Sequence, residues 1–185
     1  MSIHESGKRL APLWMRWILV TALGHGLGMT LSTILDTRYL RPLGPVLWGT
    51  LNVLIYGAMI GLVMGFVQWI VLPRRRVSFG WWITLTVIGT AVGYLLAALA
   101  AENLGNAMNG LASPVLSQAI TTTLGGILIG LGIGVAQGWV LRGHAINSRR
   151  WAVASGIGTG AHFWRRSHWD TLRSASQSHR AYQLD

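Results

Sequence analysis

The segment GLVMGFVQWIVL at residues 61–72 returns 69 positions later as GLGIGVAQGWVL at residues 130–141. Both copies are uncharged and keep two glycines four residues apart, a glutamine three residues further on, and a final Val-Leu. More matches occur at the same offset and at an offset of 65: Trp82, Gly89 and Thr90 with Trp151, Gly158 and Thr159, and Trp17, Ile18, Thr21, Gly24 and Gly28 with Trp82, Ile83, Thr86, Gly89 and Gly93. Self-similarity at a fixed period indicates a repeated structural unit. The sequence therefore predicts an all-α transmembrane bundle of repeated two-helix units, with part of a third copy.

Charge is scarce and unevenly distributed along the chain. Half of the residues are hydrophobic (51%) and only 11% are charged, against roughly 25% in soluble domains. A helix needs about 20 apolar residues to cross a bilayer, and four long blocks of this chain lack charges altogether. We therefore predict four membrane-spanning helices. Their approximate bounds are 13–35, 46–72, 79–101 and 115–141.

Lysine and arginine cluster at one end of the predicted bundle. The basic lead (residues 1–12) with Arg16, the segment 73–76 and the segment 142–150 hold nine of them, whereas the first loop on the other side holds only Arg38 and Arg41. Because positive residues favour the cytoplasmic side, we predict a multi-pass cell-membrane protein with a cytoplasmic N-terminus. Seven tryptophans are predicted at the same interface: Trp14, Trp17, Trp69, Trp81, Trp82, Trp139 and Trp151. Membrane orientation also explains the net charge of +10, so the lipid bilayer is the expected partner and nucleic acid is not.

The fifth helix of the pattern breaks off. It begins at Trp151, but at His162 the repeat requires a glycine, and the residues beyond it are polar and basic. Residues 151–164 are too short for an ordinary span, so they predict a partial span or an interfacial helix. Residues 165–185 predict a disordered polar tail. The abrupt change gives two alternatives, an interfacial half-span or a shifted reading frame near residue 161.

Glycines recur every four residues within the predicted spans. Gly57, Gly61 and Gly65 lie in the second span, and Gly126, Gly130, Gly134 and Gly138 lie in the fourth. This spacing places them on one helix face, where the lack of side chains lets a neighbouring backbone approach. We predict that these seven glycines pack helices within the chain; the alternative is a homo-oligomer or pore interface.

Three polar residues within the spans are the candidate functional contacts, because polar groups at membrane depth often mark a site. Gln68 and Gln137 occupy equivalent repeat positions, and His25 lies near the middle of the first span. The amides are predicted to bond to each other or to loop carbonyls, with contact to a substrate as the alternative. His25 is predicted to be a buried neutral group, since a lone histidine makes no metal site.

Enzymatic chemistry has little support in this sequence. The predicted spans hold no carboxylate, lysine or cysteine, and none of the catalytic motifs with a known mechanism occurs. We therefore expect no enzyme, no cofactor and no metal. The predicted function is a non-enzymatic membrane protein that acts through helix packing or assembly, with a homo-oligomer or another membrane protein as possible partner. The alternative is a small channel or transporter.

The pattern Trp-x₃-Thr-x₂-Gly-x₃-Gly, followed by Gly-x₃-Gly-x₂-Gln-Trp, resembles a group of uncharacterised bacterial multi-span membrane proteins with glycine-zipper helix pairs. The resemblance covers about residues 13–160 and implies an inner-membrane protein of unknown role. The chain departs from the pattern at Gly138, where the motif has tryptophan, and at His162, where it has glycine.

Overall fold

A computed structural model describes residues 13–40, 45–72, 78–108, 110, 113–142 and 148–181. These residues form five α-helices, and a short π-helix, Asp36–Leu40, extends the first of them. The helices are α1 (Leu13–Leu35), α2 (Pro45–Val71), α3 (Phe79–Met108), α4 (Pro114–Val140) and α5 (Ser148–Ala181). The described residues include no strand, and the prediction of an all-α bundle is confirmed.

Four helices are long and apolar enough to cross a membrane, and they correspond to α1–α4. The observed α3 ends at Met108, seven residues beyond the predicted end at 101. No proline interrupts this stretch, and the Asn103 side-chain amide donates to the Leu99 carbonyl one turn earlier (2.7 Å), so the helix continues past its apolar part. At the start of α4, Ser113 accepts a hydrogen bond from the Leu116 amide and Pro114 takes the first turn, where a missing N–H costs nothing.

The last helix differs most from its prediction. Residues 165–181, expected to be a disordered tail, belong to the 34-residue α5. This stretch contains neither glycine nor proline, so nothing in it interrupts helix propagation. The predicted lead at residues 1–12, like residues 182–185, lies outside the described residues.

Each helix packs its backbone against the next one in the chain. Close contacts join α1 to α2, α2 to α3, α3 to α4 and α4 to α5, so the helices form an arc. Large side chains buried inside this arc include Ile60, Met64 and Trp82, all at most 1% exposed. Leucines and isoleucines point outward; Leu23 and Ile157, for example, are largely exposed. An apolar exterior is what a bilayer requires.

Tryptophans gather at one end of the bundle, which we call the tryptophan end. Trp82 is fully buried, and Trp17 packs edge-on against both Trp82 (5.8 Å between ring centroids) and Trp151 (5.5 Å). The prediction that Trp82 lies at the lipid interface is therefore wrong, because the next helix turn directs its indole to the bundle axis. Trp81 and Trp139 are 65% and 62% exposed, as expected of interfacial residues.

Candidate functional site

Glycines of α2 bring its backbone against α3. A Cβ added at Gly57 would lie 2.8 Å from Ala91 Cα, and one at Gly61 would lie 2.8 Å from Val87 Cα. At Gly65 the nearest atom would be Thr86 Cβ, at 3.2 Å. These distances are shorter than ordinary carbon–carbon contacts of about 3.5–4.0 Å, so a side chain at Gly57 or Gly61 would force the two helices apart.

The glycines of α4 make the same kind of contact with α5. A Cβ added at Gly134 would lie 2.6 Å from Ala152 Cα, and one at Gly130 would lie 2.8 Å from Gly156 Cα. Gly126 faces Gly160 at 3.1 Å. Gly138, the last predicted packing glycine, is buried in α4.

Both partners of these contacts are displaced by the same number of residues. Gly57 faces Ala91, and 69 positions later Gly126 faces Gly160; Gly61 faces Val87, and Gly130 faces Gly156. The interface between α2 and α3 and the interface between α4 and α5 therefore use equivalent positions on both sides.

Glycines of the odd-numbered helices make the remaining close contacts. Gly28 of α1 faces Ile60 Cα of α2, and Gly93 of α3 faces Ile129 Cα of α4, each at 2.8 Å. Ile60 and Ile129 are again 69 residues apart. Gly132, which lies outside the four-residue spacing of α4 and was not among the predicted contacts, faces the Gly89 carbonyl oxygen at 2.5 Å.

The two predicted glutamines meet in the centre of the bundle. The Gln137 amide nitrogen donates to Gln68 Oε1 (2.7 Å) and lies 3.4 Å from Thr86 Oγ1, while the Gln68 amide nitrogen donates to Thr21 Oγ1 (2.9 Å). Both glutamines are 2% exposed. We call these four residues the amide network; it links α1, α2, α3 and α4. Of the predicted alternatives, the geometry matches a direct bond between the two amides.

The threonines of the amide network are held by their own helix or face a neighbouring one. Thr86 Oγ1 donates to the Trp82 carbonyl oxygen at 2.8 Å, which leaves its lone pairs for Gln137. Thr21 and Thr86 are repeat-equivalent, and each stands opposite a repeat-equivalent glutamine. The sequence repeats identified both threonines but gave no reason to choose them as partners of the glutamines.

His25 lies apart from the amide network. Its ring stands 6.4 Å from that of His162 (centroid to centroid), so the pair joins α1 to α5. His162 in turn packs edge-on against Phe163. Within the described ranges, no group of three His, Cys, Asp or Glu residues is placed to hold a metal ion.

A cavity of about 920 Å³ lies at the end of the bundle opposite the tryptophan end. It runs between α3 and α4 and reaches Phe163 of α5; polar groups at its wall include Asn52, Tyr56, Gln118 and Thr121. None of the described residues that line it is charged, and neither His25 nor the two glutamines line it. Sequence reasoning missed this cavity, because its wall consists of residues that are individually unremarkable.

Taken together, the apolar helices and their buried contacts define an integral, multi-pass membrane protein. Comparison with protein-family models, with curated proteins and with solved structures found no match to this chain. The fold class therefore rests on the physical properties of the helices themselves.

Proposed function

We propose that this chain is a non-enzymatic membrane protein that acts through helix packing and assembly, and that it consists of repeated two-helix units. The observation that carries the proposal is the equivalence of the glycine contacts. Gly57, Gly61 and Gly126, Gly130 stand 69 residues apart and face partners that are also 69 residues apart. Chance glycine faces have no reason to keep both sides of an interface in register.

The amide network supports the non-enzymatic part of this proposal. Gln68 and Gln137 are nearly inaccessible and bond to each other. A buried amide bonded to another side chain stabilises a particular packing arrangement, whereas a catalytic or transport group must meet its substrate. Polar groups that are central in the spans therefore support assembly.

The test compares leucine substitutions at equivalent glycines. Gly61→Leu and Gly130→Leu should separate neighbouring helices and lower the thermal unfolding temperature in detergent, because each added side chain meets backbone of the next helix. Gly80→Leu is the control, since nothing lies within 4 Å of a Cβ at Gly80. If the packing variants unfold at the same temperature as the control, the proposed mode of packing is wrong.

A second candidate function is the binding or passage of a small uncharged molecule, which the cavity at the opposite end favours. A volume of about 920 Å³ is within the range of small-molecule sites, and a wall without charged groups disfavours ions. Liposome flux of neutral solutes tests it. Flux that Ala98→Phe abolishes, with Leu23→Phe on the outer surface as control, would support transport; no flux above empty liposomes would support assembly alone.

A further inference from the structure

The arc of helices is open between α5 and α1. Side chains of these two helices touch, through Trp17 with Trp151 and through His25 with His162. Their backbones do not pack: among the described residues, no Cα of α1 lies within 8 Å of a Cα of α5. α2 fills the corresponding position between α1 and α3, and α4 fills the one between α3 and α5. We call the unfilled position the open groove.

The α5 side of the open groove carries a glycine that has no neighbour. Gly24, Gly89 and Gly158 are repeat-equivalent. A Cβ added at Gly24 would lie 2.8 Å from Met64 Cα of α2, and one at Gly89 would lie 2.5 Å from the Gly132 carbonyl oxygen of α4. At Gly158 nothing lies within 4 Å. The surface that receives the next helix in α1 and α3 is therefore bare in α5.

The α1 side carries the matching bare surface. The glycines of α2 contact Val87 and Ala91 of α3, and the repeat offset of 65 places Ala22 and Gly26 of α1 at the same positions. Ala22 and Gly26 are exposed, and a Cβ added at Gly26 would meet nothing within 4 Å. Both walls of the open groove thus correspond to surfaces that are covered elsewhere in the bundle.

We propose that the open groove binds one membrane-spanning helix of another polypeptide, with glycine or another small residue every four positions and a glutamine three residues after the last of them. This inference rests on the packing function proposed above. The occupant is specified by α2 and α4, the helices that fill the two equivalent positions. Its glutamine would lie level with Ser155, which is equivalent to Thr86 at an offset of 69.

A second copy of this chain is a poor occupant. Its own glycine-bearing faces on α2 and α4 are already covered by α3 and α5, so a copy has no free helix of the required pattern. His162 adds a further requirement. It stands where Gly28 and Gly93 receive an isoleucine, so the incoming helix must have a small residue at that level.

The chain contains no cysteine, which allows a disulfide test in membranes. The probe is a separate peptide with the sequence of residues 114–142, with Gly130→Cys, co-expressed with the full chain carrying Ala22→Cys. Gly130 normally faces α5 at the position equivalent to Ala22. We expect about tenfold more disulfide at Ala22→Cys than at Leu23→Cys, which faces lipid, since helix association in membranes typically differs by about 1–2 kcal/mol.

Three controls separate the outcomes. A probe with leucine at the positions of Gly126 and Gly134 should lose the disulfide, and His162→Gly in the full chain should increase it. Gly156→Cys reports whether the probe displaces α4 instead; disulfide mainly there overturns the proposal. Equal disulfide at Ala22→Cys and Leu23→Cys means that lipid alone covers the groove, and disulfides between two full-length chains indicate a homo-oligomer; either result overturns it. Because Gly61→Leu acts on the chain without a probe, a failure of the packing function is recognised separately.

Discussion

Replacing single glycines by alanine gives the sharpest prediction, because two of them sit in similar helices with opposite surroundings. At Gly61 the added methyl would lie 2.8 Å from Val87 Cα, whereas at Gly26 nothing lies within 4 Å. Both positions are in the middle of a helix, so the change in helix propensity is shared. The difference between the two variants therefore reports the contact between α2 and α3.

The magnitude follows from two opposing terms. Alanine is better than glycine within a helix by about 1 kcal/mol, so Gly26→Ala should be neutral or stabilising by up to about that amount. At Gly61 the methyl must move backbone by about 1 Å to reach an ordinary contact distance, and overpacking typically costs about 1–3 kcal/mol. We expect Gly61→Ala to be less stable than Gly26→Ala by about 1–3 kcal/mol.

The assay is reversible unfolding of the purified chain in mixed micelles, followed by the fluorescence of the buried tryptophans. Gly130→Ala and Gly158→Ala provide a second matched pair, since Gly130 contacts the backbone of α5 and Gly158 has no neighbour within 4 Å. Equal stability within both pairs would refute the reasoning, because it would mean that the small residues do not set the distance between helices.

Three further predictions address the amide network, the buried indole and the orientation. Gln68→Leu and Gln137→Leu should each destabilise the bundle, and a double-mutant cycle should give a coupling of about 0.6–1.7 kcal/mol; no coupling would show that the amides do not bond. Trp82→Ala should cost about 3–5 kcal/mol, whereas Trp81→Ala, next to it but 65% exposed, should cost far less in the same unfolding assay. In intact cells, a membrane-impermeant maleimide should label Asn106→Cys and not Ser78→Cys; the reverse pattern would place the N-terminus outside.

The sequence predicted the helices where apolar length decides them. α1 to α4 begin and end within about a turn of their predicted bounds, apart from the C-terminal end of α3, because a block without charges must be a helix in a membrane. The four-residue spacing likewise identified Gly61 and Gly130, whose contacts with backbone the structure describes. These features depend on local composition alone.

Other features depended on which face of a helix points inward, and the sequence could not supply that. Trp81 and Trp82 are adjacent in an all-apolar helix, so no polar face indicated that Trp82 is the buried one. The length of α5 was also missed, since polar composition alone does not distinguish an exposed helix from a disordered segment. The cavity arises from the splay of α3 and α4, a property of helix axes rather than of any residue.

The arc of helices has a consequence for how the protein is made. Every backbone interface joins helices that are consecutive in the chain, so each helix finds its packing surface already present when it leaves the ribosome. Contacts between near neighbours in sequence favour rapid folding. Of the described side-chain pairs, Trp17–Trp151 and His25–His162 join the first helix to the last, so they form only after α5 has been synthesised, and they mark the final step of biogenesis.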